Sequence, residues 1–271
     1  MAGQRGRRSE IRRMTQTQLM DTDKNQLVEQ IRTGGNSAAL EAVKTLRERG
    51  WLMDGSLKGM NFSGADLSTA DLNHARLENV DFSRASLFSA DLSFANLRGE
   101  SNFHQADLRS ASLEDTLMDG ALLTEAKLSS AQMIGTRLQA AVLSDADFSG
   151  ALMIGADLRG AFLNGTTFGG TLLRSVDFRE ARLSGTVFLQ SEFESVFMSR
   201  AEFASVIFAR VNLSNCVGLN EVVHVRGSHI DLPTLYLSRK RLSLEFLKDA
   251  TMGNVDEAML EAIFEIFQRE V

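Results

Sequence analysis

The stretch "GADLSTADLNHARLENVDF", residues 64–82, places a large apolar side chain at Leu67, Leu72, Leu77 and Phe82, and a small one two places earlier, at Ala65, Ala70, Ala75 and Val80. An α-helix repeats near 3.6 residues and a β-strand near 2.0, so neither keeps a five-residue pattern on one face for long. Some other backbone geometry must carry it.

The pattern runs far beyond this stretch. Counting in fives from Leu57 gives Phe62, Leu67 and so on to Leu97; one extra residue intervenes within "RGESNF", residues 98–103, and the count resumes at Phe103 and runs unbroken to Leu213. All 32 centres are Leu, Phe or Met, and the place two before each is nearly always Ala, Val, Thr or Ser, as at Ala106, Thr136, Val176, Ser191 and Val211. The composition agrees: 17 phenylalanines accompany one tryptophan and one tyrosine, and 21 glycines accompany a single proline, Pro233. Such a skew points to one structural slot filled repeatedly, which is the signature of a repeat architecture.

The segments "GADLSTADL", "SADLSFANL" and "GADLRGAFL" resemble the A(D/N)LxX unit of pentapeptide-repeat proteins, and the resemblance covers about residues 55–215. It implies an all-β solenoid, a right-handed quadrilateral β-helix in which four pentapeptides make one square coil. The centre and the small residue then point inward and the other three outward. On that basis 32 centres make about eight coils, and stacking at the strand spacing of ~4.8 Å gives a rod of roughly 38 Å. Residues twenty apart should stack in columns, Phe148, Phe168, Phe188 and Phe208 in one, and Phe62, Phe82 and, past the insertion, Phe103 in another.

A solenoid has open strand edges at its ends, and these need caps. Residues 22–33 place Leu27, Val28 and Ile31 on one helical face, "GGNS" turns, and Ser37–Arg49 places Leu40, Val43 and Leu46 on another, so an αα-hairpin cap is expected. After Leu213 the register fails; Asn254 with Glu257 reads as a capping box opening a helix through about Arg269. Its stripe of Val255, Met259, Ile263, Ile266 and Phe267, with Leu260 and Phe264 beside it, is wider than one cap face needs. It therefore suggests a homodimer contact. The expected organisation is a basic tail at 1–20, a helical cap at 21–50, the β-helix at 51–215, and a C-terminal loop with a helical cap or association segment at 216–271.

Enzymatic and metal chemistry find little support. His74, His104, His224 and His229 are scattered, Cys216 has no partner at ligand spacing, and no metal or cofactor site is expected. His224 and His229 read as surface or packing residues. The glycines of "GTTFGGTLL", residues 165–173, fall in repeat slots at corners without a following helix, unlike a phosphate loop. The recurring carboxylates Asp66, Asp71, Asp81, Asp91, Asp107, Asp147, Asp157 and Asp177 occupy the slot before the centre, where Asp and Asn bond nearby backbone at turns. They recur for structural reasons. No enzyme is expected.

The single cysteine rules out an internal disulfide and fits a reducing compartment. No apolar run approaches the ~20 residues needed to cross a bilayer, and the start lacks the apolar core of a secretory signal. A cytoplasmic protein is expected, without membrane or direct nucleic-acid contact; the arginines at 5, 7, 8, 12 and 13 read as a solvated basic tail.

Function must then reside on the outside of the rod. Mid-rod, outward slots turn apolar: Leu122, Val142 and Phe162 lie twenty apart on one face, and Leu152 and Leu172 on the opposite one, flanked by Ile134 and Ile154. Contiguous apolar patches on a soluble rod usually mark an interface. A scaffold that binds another protein is the leading expectation. The alternative comes from the resemblance alone, since the quinolone-resistance branch of the family is dimeric and acidic and resembles B-form DNA closely enough to occupy DNA gyrase. Residues 51–213 hold 20 acidic and 13 basic side chains, net −7, which is thin beside one charge per ~1.7 Å of duplex.

Overall fold

A computed structural model of the protein describes residues 23–239, 241–251 and 256–269; the expected basic tail at 1–20 lies outside them. Residues 61–213 wind as a right-handed square β-helix, and the hydrogen-bonded rungs are parallel and twenty residues apart, as at Asn61↔Asp81 and Leu122↔Val142. Across the insertion the step becomes twenty-one, at Asp81↔Asn102, and Ser101 takes the small inward slot. One loop residue is absorbed without loss of register.

Inside, every centre and every small slot from Phe62 to Leu213 is buried. The expected phenylalanine columns form. Phe148, Phe168, Phe188 and Phe208 stack with centroids 5.1, 5.0 and 5.3 Å apart and planes within 10°. Phe62 stacks on Phe82 at 5.4 Å, and Phe82 meets Phe103 at 5.3 Å with the planes tilted by 33°. Where the small slot holds Thr or Ser, the hydroxyl donates to the centre carbonyl of the preceding coil, as from Thr136 to Leu113 (2.7 Å) and from Thr186 to Leu163 (2.7 Å). These buried polar groups are therefore satisfied, as they must be in a dry interior.

The corners explain the period of five. The residue two past each centre has positive φ, without exception from Gly59 to Arg210. Eleven of these corners are glycine; the other twenty are not, among them Ala140, Ser175 and Glu180. The left-handed region costs an L-residue roughly 1–2 kcal/mol, so the stacked ladder holds these corners in place. In most upstream coils the N–H three residues past the centre returns to the centre carbonyl, as from Ala70 to Leu67 (3.0 Å), which closes a β-turn. A closed turn leaves one residue per side to bridge to the next coil. From Leu152 onward three residues often run extended, and regular strands stack about four turns deep. The eight coils counted from the centres thus resolve into about four turns of regular strand preceded by coils joined through single bridges.

The ladder outlasts the sequence pattern. Cys216–Val217 pairs with Val196–Phe197, Val223–Arg226 with Glu202–Ala204, and His229–Ile230 with Ile207–Ala209. Loops of irregular length and a register shift between His224 and Arg226 hide these rungs from a count in fives.

Both ends are closed by helices that bond open backbone groups of the terminal coils. Helix α1 covers residues 23–33 and α2 covers Gly35–Glu48, starting two residues earlier than expected. A β-carbon at Gly34 would lie 2.6 Å from the Gln30 carbonyl oxygen, so only glycine fits that junction. Val28, Ile31, Val43 and Leu46 are buried as expected, but Leu40 is only half-buried, and Ala39 and Ala42 make the tight contact. The first coil offers bare carbonyls at its outer edge, and α2 supplies donors: Asn36 to Ser68 O (2.9 Å), and Arg47 to Asp71 O (2.9 Å) and Asn73 O (3.1 Å). The last coil offers bare N–H groups as well as carbonyls such as that of Phe208, which takes the Thr234 hydroxyl, and Asp231 with helix α3, Leu232–Ser238, supplies acceptors for the N–H groups. Asp231 takes the N–H of Arg210 (3.1 Å), Thr234 that of Val211 (3.1 Å) and Ser238 that of Leu213 (2.8 Å). Helix α4, Leu244–Thr251, packs beside Val223–Arg226, and α5, Glu257–Arg269, packs on α4. Asp256 opens α5 by accepting the Met259 N–H (3.1 Å), whereas Asn254 of the expected capping box lies outside the described residues.

Candidate protein-binding surface

With the core dry and the ends closed, the outer slots carry whatever recognition there is. Most are polar and self-satisfied. Each Asp before a centre accepts the N–H of the residue after it, as Asp66 from Ser68 (3.1 Å), Asp91 from Ser93 (2.9 Å) and Asp177 from Arg179 (3.0 Å). Three also hold an arginine in a fork: Arg109 on Asp107 (2.6 Å), Arg159 on Asp157 (2.7 Å) and Arg179 on Asp177 (2.6 Å). The Arg109 hydrogen bond holds Asp107 below the usual carboxylate range. For Asp157, burial pushes the other way, but hydrogen bonds from the Arg159 side chain and backbone and from Gln139 outweigh it, so it too is lowered. These carboxylates are committed to turns and local pairs, a poor arrangement for general acid or base work.

Against this polar background the apolar slots stand in register. Asn102, Leu122, Val142, Phe162 and Arg182 follow one another up one face, and Gln132, Leu152, Leu172 and Glu192 up the opposite face. Ile134 and Ile154 lie beside the second column, so Ile134, Leu152, Ile154 and Leu172 make one continuous patch. All seven of these residues are half-buried, since each rung shields its neighbours. The guanidinium of Arg182 sits 5.2 Å above the Phe162 ring and pairs with Glu202 (3.3 Å), closing the first column; the Arg174–Glu194 pair (2.6 Å) closes the second. The helices engage the terminal coils.

The residues of α5 separate into two sets. Leu260 is buried and Phe264 half-buried against the core, with Ile263 beside them facing Leu235, Leu242 and Leu247, while Met259 and Ile266 are each 58% exposed. Val255 and the side chain of Phe267 lie outside the described residues. Sequence reasoning missed a larger set of exposed apolar groups at the same end: Val217, Val223, Val225, Leu232, Tyr236 and Leu237. The signal was present in "DLPTLYL", where Asp231 caps and Pro233 opens a helix, but the short segment shows too few turns for its faces to be told apart.

Among the described residues no group of His, Cys, Asp and Glu could hold a metal ion, and no helix is long and apolar enough to cross a membrane. Cys216 packs half-buried against the core, and burial pushes its thiol up, which disfavours the thiolate.

A family model for pentapeptide repeats matches in eight copies, together spanning residues 54–99 and 101–208. The chain belongs to the pentapeptide-repeat family. That model describes a structural repeat and indicates no catalytic family. Among solved structures, the chain is similar to HetL, a pentapeptide-repeat protein involved in heterocyst differentiation regulation from the cyanobacterium Nostoc sp. strain PCC 7120, with 26% identity over 64% of this chain and 84% of that one and a TM-score of 0.43. It is similar to Rfr23 from the cyanobacterium Cyanothece 51142, with 31% identity over 48% of this chain and 82% of that one and a TM-score of 0.28. It is also similar to full-length QnrB1, a plasmid-mediated fluoroquinolone resistance protein, with 18% identity over 69% of this chain and 96% of that one and a TM-score of 0.33. No curated protein matches by sequence.

Proposed function

We propose that the protein is a non-enzymatic scaffold, at work in the reducing cytoplasm, whose outer rod faces dock another protein chain. The observation that carries this reading is the in-register replacement of polar slots by Leu122, Val142 and Phe162 on one face and by Ile134, Leu152, Ile154 and Leu172 on the other. Where the slot before a centre holds Asp or Asn the side chain bonds its own backbone, as at Asp66, Asp91 and Asp177, and these apolar side chains cannot. Because groups of the terminal segments take up open backbone groups at both ends of the rod, edge-to-edge extension is blocked and the side faces remain for recognition.

Phe162→Asp or Ile154→Asp adds charge outside the core, so each is expected to leave the melting temperature nearly unchanged while abolishing capture of the partner by the purified protein. If either substitution unfolds the protein, or if neither alters any association, the reading fails.

A second reading, modulation of DNA gyrase by mimicry of its DNA, draws on one observation. Residues 51–125 hold 12 acidic and 5 basic side chains, whereas residues 126–213 hold 8 of each, so the whole acidic excess of the rod sits in its first half. A supercoiling assay separates the readings: the scaffold leaves gyrase activity unchanged at any ratio of protein to enzyme, and the mimic inhibits it.

A further inference from the structure

His224 lies on the short strand Val223–Arg226, laid against the last repeat coil. Its ring meets Phe203 of that coil edge-on at 5.8 Å and Phe246 of α4 at 5.4 Å, so it joins the end of the rod to the helix that covers it. Its Nδ1 is buried and has no hydrogen-bond partner. A neutral imidazole can leave one ring nitrogen as an unused acceptor at modest cost. An imidazolium carries N–H donors on both nitrogens, and a buried charged donor without an acceptor is far more costly.

We propose that His224 is a pH-sensitive latch: neutral, it seats α4 against the end of the rod, and its protonation in mildly acidic solution loosens α4 together with α5. The surface so released is apolar, since Phe246, Leu247 and Ala250 form the buried face of α4.

The charged groups around the ring leave this direction intact. On the repeat coil, Glu202 is taken up by Arg182 (3.3 Å). The strand of His224 carries Arg226, and the turn before it Glu221. On α4 stand Glu245, Lys248, which pairs with Glu261 of α5 (3.1 Å), and Asp249. Burial pushes His224 below the ordinary histidine value, and the negative charge of Asp249 opposes this without overcoming it. The folded state thus binds the proton less readily than the unfolded chain. The contribution of the latch is present above the unfolded histidine pKa of about 6.5 and is lost as pH falls below it.

Hydrogen exchange at pH 7.5 and 5.5, corrected for intrinsic rates, tests the latch on the full chain. Amides of residues 244–251 should lose protection several-fold at pH 5.5 relative to mid-rod amides such as Leu143 and Leu163. His224→Gln, uncharged at both values, should remove that difference, and Asp249→Asn should enlarge it. Protection of wild-type α4 that does not change with pH overturns the proposal, as does a pH-dependent loss that persists in His224→Gln. Titration of the His224 ring by NMR, which needs no variant, overturns it if the midpoint lies at or above 6.5.

Discussion

Phe168 shows what one inward residue is worth. Its ring has Phe148 below at 5.1 Å, Phe188 above at 5.0 Å and Phe178 edge-on at 5.7 Å, and its backbone is fixed by pairing with the neighbouring coil. The walls cannot close around a missing ring, so Phe168→Ala should cost about 3–5 kcal/mol. Asp157→Ala loses the bonds from Arg159 and Gln139, but on the half-buried outer face water replaces them, and about 1 kcal/mol is expected. Urea denaturation of both variants measures the difference; equal losses would mean that the inward and outward slots are misassigned. At this scale the fold was readable, because each residue type in the five-residue unit answers a local demand. The left-handed corners were readable only in part. At Gly155 or Gly165 the residue type advertises the positive φ, while Ala140 and Glu180 adopt it under the constraint of the coils above and below.

The elements at the two ends are decided by backbone polarity. Thr234 and Ser238 are fully buried on α3 and stand where the next coil would have been, taking N–H groups of Val211 and Leu213. Thr234→Val leaves the Val211 N–H buried without an acceptor and should cost about 1–3 kcal/mol, while Thr234→Ser should stay close to wild type. Thermal melting of the pair checks this, and a Val variant as stable as the Ser variant would show that α3 does not cap the edge by hydrogen bonding. A helical stripe announces which face of a helix will be buried, and the stripes of α2 and α5 were visible. Which edge groups a helix would satisfy was not, since Asn36, Arg47, Asp231, Thr234 and Ser238 are ordinary polar residues until the rod places bare carbonyls or N–H groups beside them.

For the whole molecule, the apolar exposure is uneven. Met259, Ile266, Leu232, Tyr236 and Leu237 all lie on the helices of the C-terminal end, which favours that end for contact with a second copy. Because α3 and α4 already cover the last coil, deleting residues 254–271 should leave a soluble chain rather than an aggregating one. Light scattering should then find a dimer for the full chain and a monomer for the shortened one. A full chain that is already monomeric removes the self-association reading, and a dimer that survives the deletion excludes α5 as the contact.

The amino-acid sequence by itself determined the period, the inward columns and the near-complete extent of the β-helix, because a coil of four like sides imposes the same local demand every five residues. It also exposed the apolar columns of Leu122 to Phe162 and Leu152 to Leu172, since a spacing of twenty is a spacing of one rung. Tertiary structure alone decided where the rod ends. The rungs at Cys216–Val217, Val223–Arg226 and His229–Ile230 follow loops of unequal length and owe their conformation to the edge they join. The same holds for the pocket of His224, whose burial is made by Phe203 and Phe246, residues far apart in the chain that meet only once α4 has folded back onto the last coil.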